Sequence, residues 1–178
     1  YSQRVAWLLW KDLEPEKGVY DWTSLENSLN NAADRNQTIQ FWVLSTTCGN
    51  KNTQYETLPC SVPDWVFTEY GLDPETLPGL GGTFDIMVIP GWWPAIRTDF
   101  NNMIRALGEE YGDDPRITSV YIQGISASRG EEFSLEPAAI YNLEQNWGFS
   151  SLVLEEWIQS RMDAYADAFS SRTHICAW

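Results

Sequence analysis

Short apolar runs alternate with amphipathic stretches along this chain. Val5 to Trp10, Ile39 to Leu44 and Ile117 to Ile125 each read as a buried strand, and His174 to Trp178 as the start of a fourth. Between them, Leu25, Leu29, Ala32 and Ala33 recur at helical spacing behind a capping box formed by Thr23 and Glu26. Ile96, Phe100, Met103, Ile104, Leu107 and Tyr111 make a second apolar stripe. Leu154, Trp157, Ile158, Met162, Tyr165 and Phe169 make a third, which places Trp157 in the core. Buried strands separated by helices imply βα units and a parallel sheet. The predicted class is α/β, with residues 1–178 as a single domain.

The stretch from Thr46 to Pro94 breaks the pattern. It is long, rich in Gly and Pro, and contains Trp65, Trp92 and Trp93. A loop of this length in a compact domain usually carries function. Trp92 and Trp93, flanked by Gly91 and Pro94, are the candidates for an exposed aromatic surface. Gly79, Gly81 and Gly82 lack the strand-to-helix setting of a nucleotide fingerprint, so a nucleotide fold is not expected.

Composition narrows the partners. Ten Trp, eight Tyr and seven Phe exceed what a core of this size needs, so several rings are expected on a surface or in a cleft. A net charge of −14, with Lys11, Lys17 and Lys51 as the only lysines, argues against nucleic acid and anionic membranes. It suits a secreted or salt-tolerant protein. No run approaches the ~18 apolar residues of a membrane span. No signal peptide is visible, and Tyr1 falls inside a predicted strand. The chain is therefore expected to be processed, or a piece of something longer, and an extracellular location is expected.

Cys48 and Cys60 bracket a polar loop, while Cys176 lies far away. A disulfide between the first two would stabilise the fold by roughly 3 kcal/mol on the chain-entropy model; free thiols are the alternative. Zinc spacings are absent and His174 is the single histidine, so neither a metal site nor a Ser–His triad is expected, and no cofactor. Asn36-Gln37-Thr38 matches a glycosylation sequon.

Glu131 and Glu132 follow the third strand. A carboxylate beyond the C-terminal end of a parallel strand is where a barrel enzyme would hold a general acid, and tryptophan stacks well on sugar rings. Glycoside hydrolysis needs two carboxylates, about 5–5.5 Å apart for retention or ~6.5–9.5 Å for inversion. Asp12, Glu14 and Asp64, near strand ends, are possible partners for Glu131. Each has a plainer reading. Glu131 and Glu132 are equally readable as solvated charges or as partners of Arg129. Glu14, ahead of Pro15, suits a turn-fixing role. Trp10 and Trp65 suit either a sugar platform or packing at the top of a barrel.

The segment Trp10-Lys-Asp-Leu-Glu-Pro-Glu-Lys-Gly-Val-Tyr-Asp-Trp22 resembles the segment after the second strand in β-galactosidase-like and related glycoside hydrolase (β/α)8 barrels. Pro63-Asp-Trp65 resembles the Pro-x-Trp after the next strand. Leu107-Gly-Glu-Glu-Tyr-Gly-Asp-Asp-Pro-Arg-Ile117 resembles the lead-in to the fourth, and Arg129-Gly-Glu-Glu-Phe133 a Trp-Gly-Glu-Trp element of barrel relatives. The resemblance covers almost the whole chain and implies a TIM-barrel type fold, as a partial barrel running from about strand two to strand five. It departs where the enzymes carry Asn-Glu at the end of the fourth strand; Gly124-Ile125-Ser126 stands there. The nucleophile at the family's seventh strand has no counterpart in a partial barrel, since a complete one takes ~250 residues. The resemblance implies a secreted carbohydrate-active protein, with Glu131 as general acid/base and Trp10, Glu14, Trp65, Trp92, Trp93 and Glu132 as substrate contacts. The alternative is a non-catalytic glycan-binding or assembly protein on the same scaffold, self-assembling if the chain ends at Trp178.

Overall fold

The computed structural model describes residues 2–50, 60–78, 85–122, 137–170 and 174–177. Along the chain the elements are β1 (Gln3–Leu9), α1 (Trp10–Leu13), α2 (Thr23–Ala33), β2 (Thr38–Leu44) and β3 (Thr47–Asn50). Then come α3 (Asp64–Tyr70), β4 (Glu75–Pro78), β5 (Asp85–Val88), α4 (Pro94–Tyr111) and β6 (Ile117–Ile122). The last three are α5 (Pro137–Trp147), α6 (Ser151–Ala168) and β7 (His174–Ala177).

Four strands form a parallel sheet in the order β1-β2-β6-β7. The sheet is parallel because each connection between successive strands of the sheet contains a helix that returns the chain to the same end. Ala6 and Leu8 of β1, Ile39, Phe41 and Val43 of β2, and Val120 and Ile122 of β6 point to one face and are buried. Against that face pack Leu25 and Leu29 of α2, and Ile96, Phe100, Met103, Ile104 and Leu107 of α4. The α2 and α4 stripes fall where the periodicity puts them, except that Ala33 turns outward.

Three local expectations change. Helix α2 begins at Thr23 itself, whose amide donates to Asp21 Oδ1 at 2.9 Å. No Thr23–Glu26 capping box forms, because Glu26 Oε1 instead accepts from the Tyr111 hydroxyl at 2.8 Å. Helix α6 buries Trp157, Arg161, Ala164 and Tyr165, while Met162 is 42% exposed, so an arginine occupies the inward position given to methionine. The stretch from Thr46 to Pro94, expected as loop, holds α3 and a three-stranded antiparallel sheet in the order β3-β5-β4. Its four-residue strands are too short to show a period. This small sheet builds a second core, in which Leu77 and Val88 pack with Trp92, Leu143 of α5 and Trp157.

Helices α4 and α6 cross at backbone contact. A Cβ on Gly108 would lie 2.4 Å from Ala168 Cβ and 2.5 Å from Ala168 Cα. Gly108→Ala is therefore expected to destabilise the fold by about 1–3 kcal/mol through overpacking, read as a lower urea midpoint. Because backbone as well as methyl atoms stand in the way, adding Ala168→Gly should restore only part of the loss.

Candidate functional site

The C-terminal ends of β1, β2 and β6 share one end of the sheet, and the segment leaving β1 is the most fully determined there. Glu14 is 2% exposed. Its Oε2 accepts from Trp10 Nε1 at 2.7 Å, and its Oε1 accepts from the Gly18 amide at 2.8 Å. Gly18 sits at φ +73°, a left-handed conformation that suits glycine. The Val19 amide closes a tight turn on the Glu16 carbonyl, and the Asp21 amide returns to the Leu13 carbonyl. Trp22 then stacks on Tyr20 at 5.2 Å. Leu13, Glu14, Gly18, Tyr20, Asp21 and Trp22 of the Leu-Glu-Pro-x-x-Gly-x-Tyr-Asp-Trp pattern thus all take part in this turn.

The second motif docks on the first. Trp65 Nε1 donates to the Glu14 carbonyl at 3.1 Å, and its ring meets Trp10 edge-on at 5.7 Å. Lys17 joins the turn to α3 and α4: its Nζ lies 2.5 Å from Glu69 Oε1 and 3.2 Å from Asp99 Oδ2, and 5.4 Å from the Trp65 and Tyr70 ring centroids.

Burial raises the Glu14 carboxyl pKa above its ordinary value, against the lowering effect of the Gly18 and Trp10 hydrogen bonds. A carboxyl raised in the folded state holds its proton more tightly there than in the unfolded chain. It therefore contributes stability below the unfolded pKa, and that contribution is lost as pH rises through the folded one. Glu14→Gln should remove this component from the pH–stability curve. It should also cost about 1–3 kcal/mol at neutral pH, since the amide nitrogen would face one of two N–H donors. Urea unfolding of both proteins from pH 4 to 8 checks this; an unchanged difference between them across the range would refute it.

Beyond β2, Ser45, Thr46 and Thr47 are buried, as are Ser61 and Arg161. Arg161 Nη2 donates to Ser45 Oγ at 2.7 Å, and its guanidinium lies between the rings of Phe100 (4.3 Å) and Trp157 (4.4 Å). This packing suits a flat, delocalised cation. Sequence reasoning passed over Arg161; the available signal was a charge four residues after Trp157 on an apolar stripe.

The sheet face turned away from the helices is open. Trp7 is 49% exposed and Val5 39%. Trp7 pairs with Trp42, and Trp42 with Tyr121, in the strand register. Their rings stack at 4.7 Å and 4.1 Å with interplanar angles of 10° and 19°. Tyr121 donates its hydroxyl hydrogen to Gln40 Oε1 at 3.2 Å. Sequence reasoning passed over this ladder, although the alternation of β1 and β2 places both tryptophans opposite the core.

The candidates themselves fare unequally. Trp10 is fully buried, with Phe100 also edge-on at 5.3 Å, so it is packing and not a platform. Glu14 is corrected in the same way, because both carboxylate oxygens are engaged by the turn. Trp92 is 3% exposed and packs on Trp147, Phe149 and Trp157; it is core, not surface. Trp92 and Trp93 both donate Nε1 to the Trp147 carbonyl at 3.3 Å, which pins them to the end of α5. Trp65 and Trp93 are partly buried, Asp12 and Asp64 are exposed, and Trp157 is core as expected. Glu131 and Glu132 lie outside the described residues. Cys48 and Cys60 are free thiols, paired across an isolated antiparallel bridge. Asn36 is exposed in the turn before β2, at φ +53°. Among the described residues no group of His, Cys, Asp and Glu could hold a metal ion, and no helix is long and apolar enough to cross a membrane.

A parallel sheet with helices on one face and an open aromatic face on the other defines an α/β protein, and its fold is similar to part of the (β/α)8 barrels of several glycoside hydrolases. The catalytic domain of β-amylase from Paenibacillus polymyxa superposes with a TM-score of 0.63 at 10% identity, over 96% of this chain and 58% of that one. Endo-glycoceramidase II from Rhodococcus sp. gives 0.57 at 15%, over 96% and 40%. The GH5_18 enzyme from Streptomyces cattleya, in complex with GlcNAc, gives 0.55 at 11%, over 97% and 35%. This chain thus spans between about a third and three fifths of the length of these three structures. No family profile matches the sequence, and no curated protein matches it either.

Proposed function

We propose that this chain forms part of a carbohydrate-active (β/α) barrel, a glycoside hydrolase acting on O-glycosidic bonds, with Glu131 as its general acid/base. The observation that carries this reading is the superposition of almost the whole chain on several different glycosidases. Glu131 follows the sheet's third strand in sequence, at the end where barrel enzymes gather their catalytic loops. Glu14 is committed to its turn, and neither Asp12 nor Asp64 matches a nucleophile position of the barrels this chain resembles, so the second carboxylate is sought outside the segment. The open Trp7–Trp42–Tyr121 face is covered in the working protein by the rest of a barrel, whether from the same polypeptide or another copy. An extracellular location, with glycan on Asn36, fits the acidic, lysine-poor composition.

The burial of Trp10 and Glu14 favours one other reading, a non-catalytic glycan-binding or assembly domain on the same scaffold. The full-length protein, incubated with α- and β-linked oligosaccharides, decides between them. Release of new reducing ends supports the hydrolase. Saturable sugar binding without release supports the binding domain. Neither release nor binding overturns the carbohydrate reading.

A further inference from the structure

Cys48 and Cys60 face each other in a geometry with chemical consequences. The Ser61 amide donates to the Thr47 carbonyl at 2.7 Å, so the bonded groups flank the Cys48–Cys60 pair. That makes it a non-hydrogen-bonded antiparallel pair, the closer of the two kinds, with Cα atoms ~4.5 Å apart. The distance lies within the range a disulfide spans. The two thiols differ in setting. Cys48 is 4% exposed, within the main core, whereas Cys60 is only partly buried. Cys60 Sγ lies 3.7 Å from the Val62 carbonyl oxygen.

We propose that Cys60 and Cys48 form a reversible dithiol–disulfide couple, with Cys60 the accessible attacking sulfur and Cys48 the buried resolving sulfur. The oxidant is a small-molecule disulfide of the glutathione type. The Cys60 thiolate attacks one of its sulfurs, the S–S bond breaks, and one glutathione thiolate leaves with the electron pair. Cys48 then loses its proton to solvent and attacks Cys60 Sγ, expelling the second glutathione thiolate. Two protein thiols are oxidised and one small disulfide is reduced to two thiols.

Electrostatics agree with this division of roles. The hydrogen bond from Cys48 brings Cys60 down to about 7, aided by Lys11 of α1 and opposed by burial and by Asp64 of α3. The same hydrogen bond and burial push Cys48 up. The bridge also touches the candidate site, because Lys11, next to Trp10, donates its amide hydrogen to the Ser61 carbonyl at 2.9 Å.

Oxidised glutathione is added to the pre-reduced full chain at pH 7, followed by intact mass and peptide mapping. The expected product is lighter by two hydrogens, links the Cys48 and Cys60 peptides, carries no glutathione on either, and reverts with dithiothreitol. In Cys48→Ser, glutathione should remain on Cys60. A brief iodoacetamide pulse on the unmodified protein avoids any folding defect of that variant. It should label Cys60 at least about tenfold faster than Cys48, as thiolate fraction and access both require. Stable glutathione on Cys60 of the natural sequence, a linkage through Cys176, faster labelling of Cys48, or no reaction would each overturn the proposal.

Discussion

Trp10→Ala is expected to remove about 3–5 kcal/mol of stability, the usual cost of deleting a large aromatic from a core. The ring is fully buried, meets Trp65 and Phe100 edge-on, and donates from Nε1 to Glu14. The loss exceeds a simple cavity because truncation also strips a buried carboxylate of one of its two donors. Against a typical total of 5–15 kcal/mol, the variant should be marginal at 37 °C. Urea unfolding followed by circular dichroism checks it. Trp10→Phe keeps much of the volume but not the donor, so it should fall between the two. A Trp10→Ala protein of near-normal midpoint would mean that the ring does not close the turn as described.

Glu131→Gln carries the other large effect. If the carboxyl protonates the leaving oxygen, the amide cannot, and turnover should fall by about 10²–10⁴-fold with little change in KM. The alkaline limb of the pH–kcat profile of the full-length protein, where a general acid loses its proton, should change with it. Substrates with activated leaving groups, such as nitrophenyl glycosides, need less protonation and should lose far less. That contrast separates an acid role from a general disturbance of the loop. Equal losses on both substrates would remove Glu131 from the acid role while leaving the hydrolase reading to the product assay.

The parts legible in the sequence were those where one physical signal dominated. The strands β1, β2 and β6 are apolar on the helix side, and α4 shows all six predicted positions buried. Helix α5 was not foreseen because it buries only Ala139 and Leu143, too sparse a stripe to stand out. Arg161 was missed because an inward arginine is found by its partners, and two of them, Phe100 and Ser45, come from distant stretches of chain while Trp157 lies one turn earlier on the same helix. The motif residues were legible as important but not as to why. Trp10, Glu14, Gly18 and Trp65 assemble one turn, and in sequence a motif with a conformational role looks the same as one with a substrate contact.

The small sheet set between β2 and α4 also governs the order in which the molecule assembles. Strands β1 and β2 meet through pairs such as Gln3 with Thr38, whereas β2 must wait for β6, where Ile39 meets Ile117. The entropic cost of closing a loop grows with its length, so the β1–α2–β2 unit closes first and docking of β6 comes later. Until then the inner edge of β2 is unpaired, with the aromatic side of Trp42 beside it. A polypeptide that pauses at this stage presents a template for joining another strand. The interval between the two closures is therefore where this chain is most exposed to aggregation.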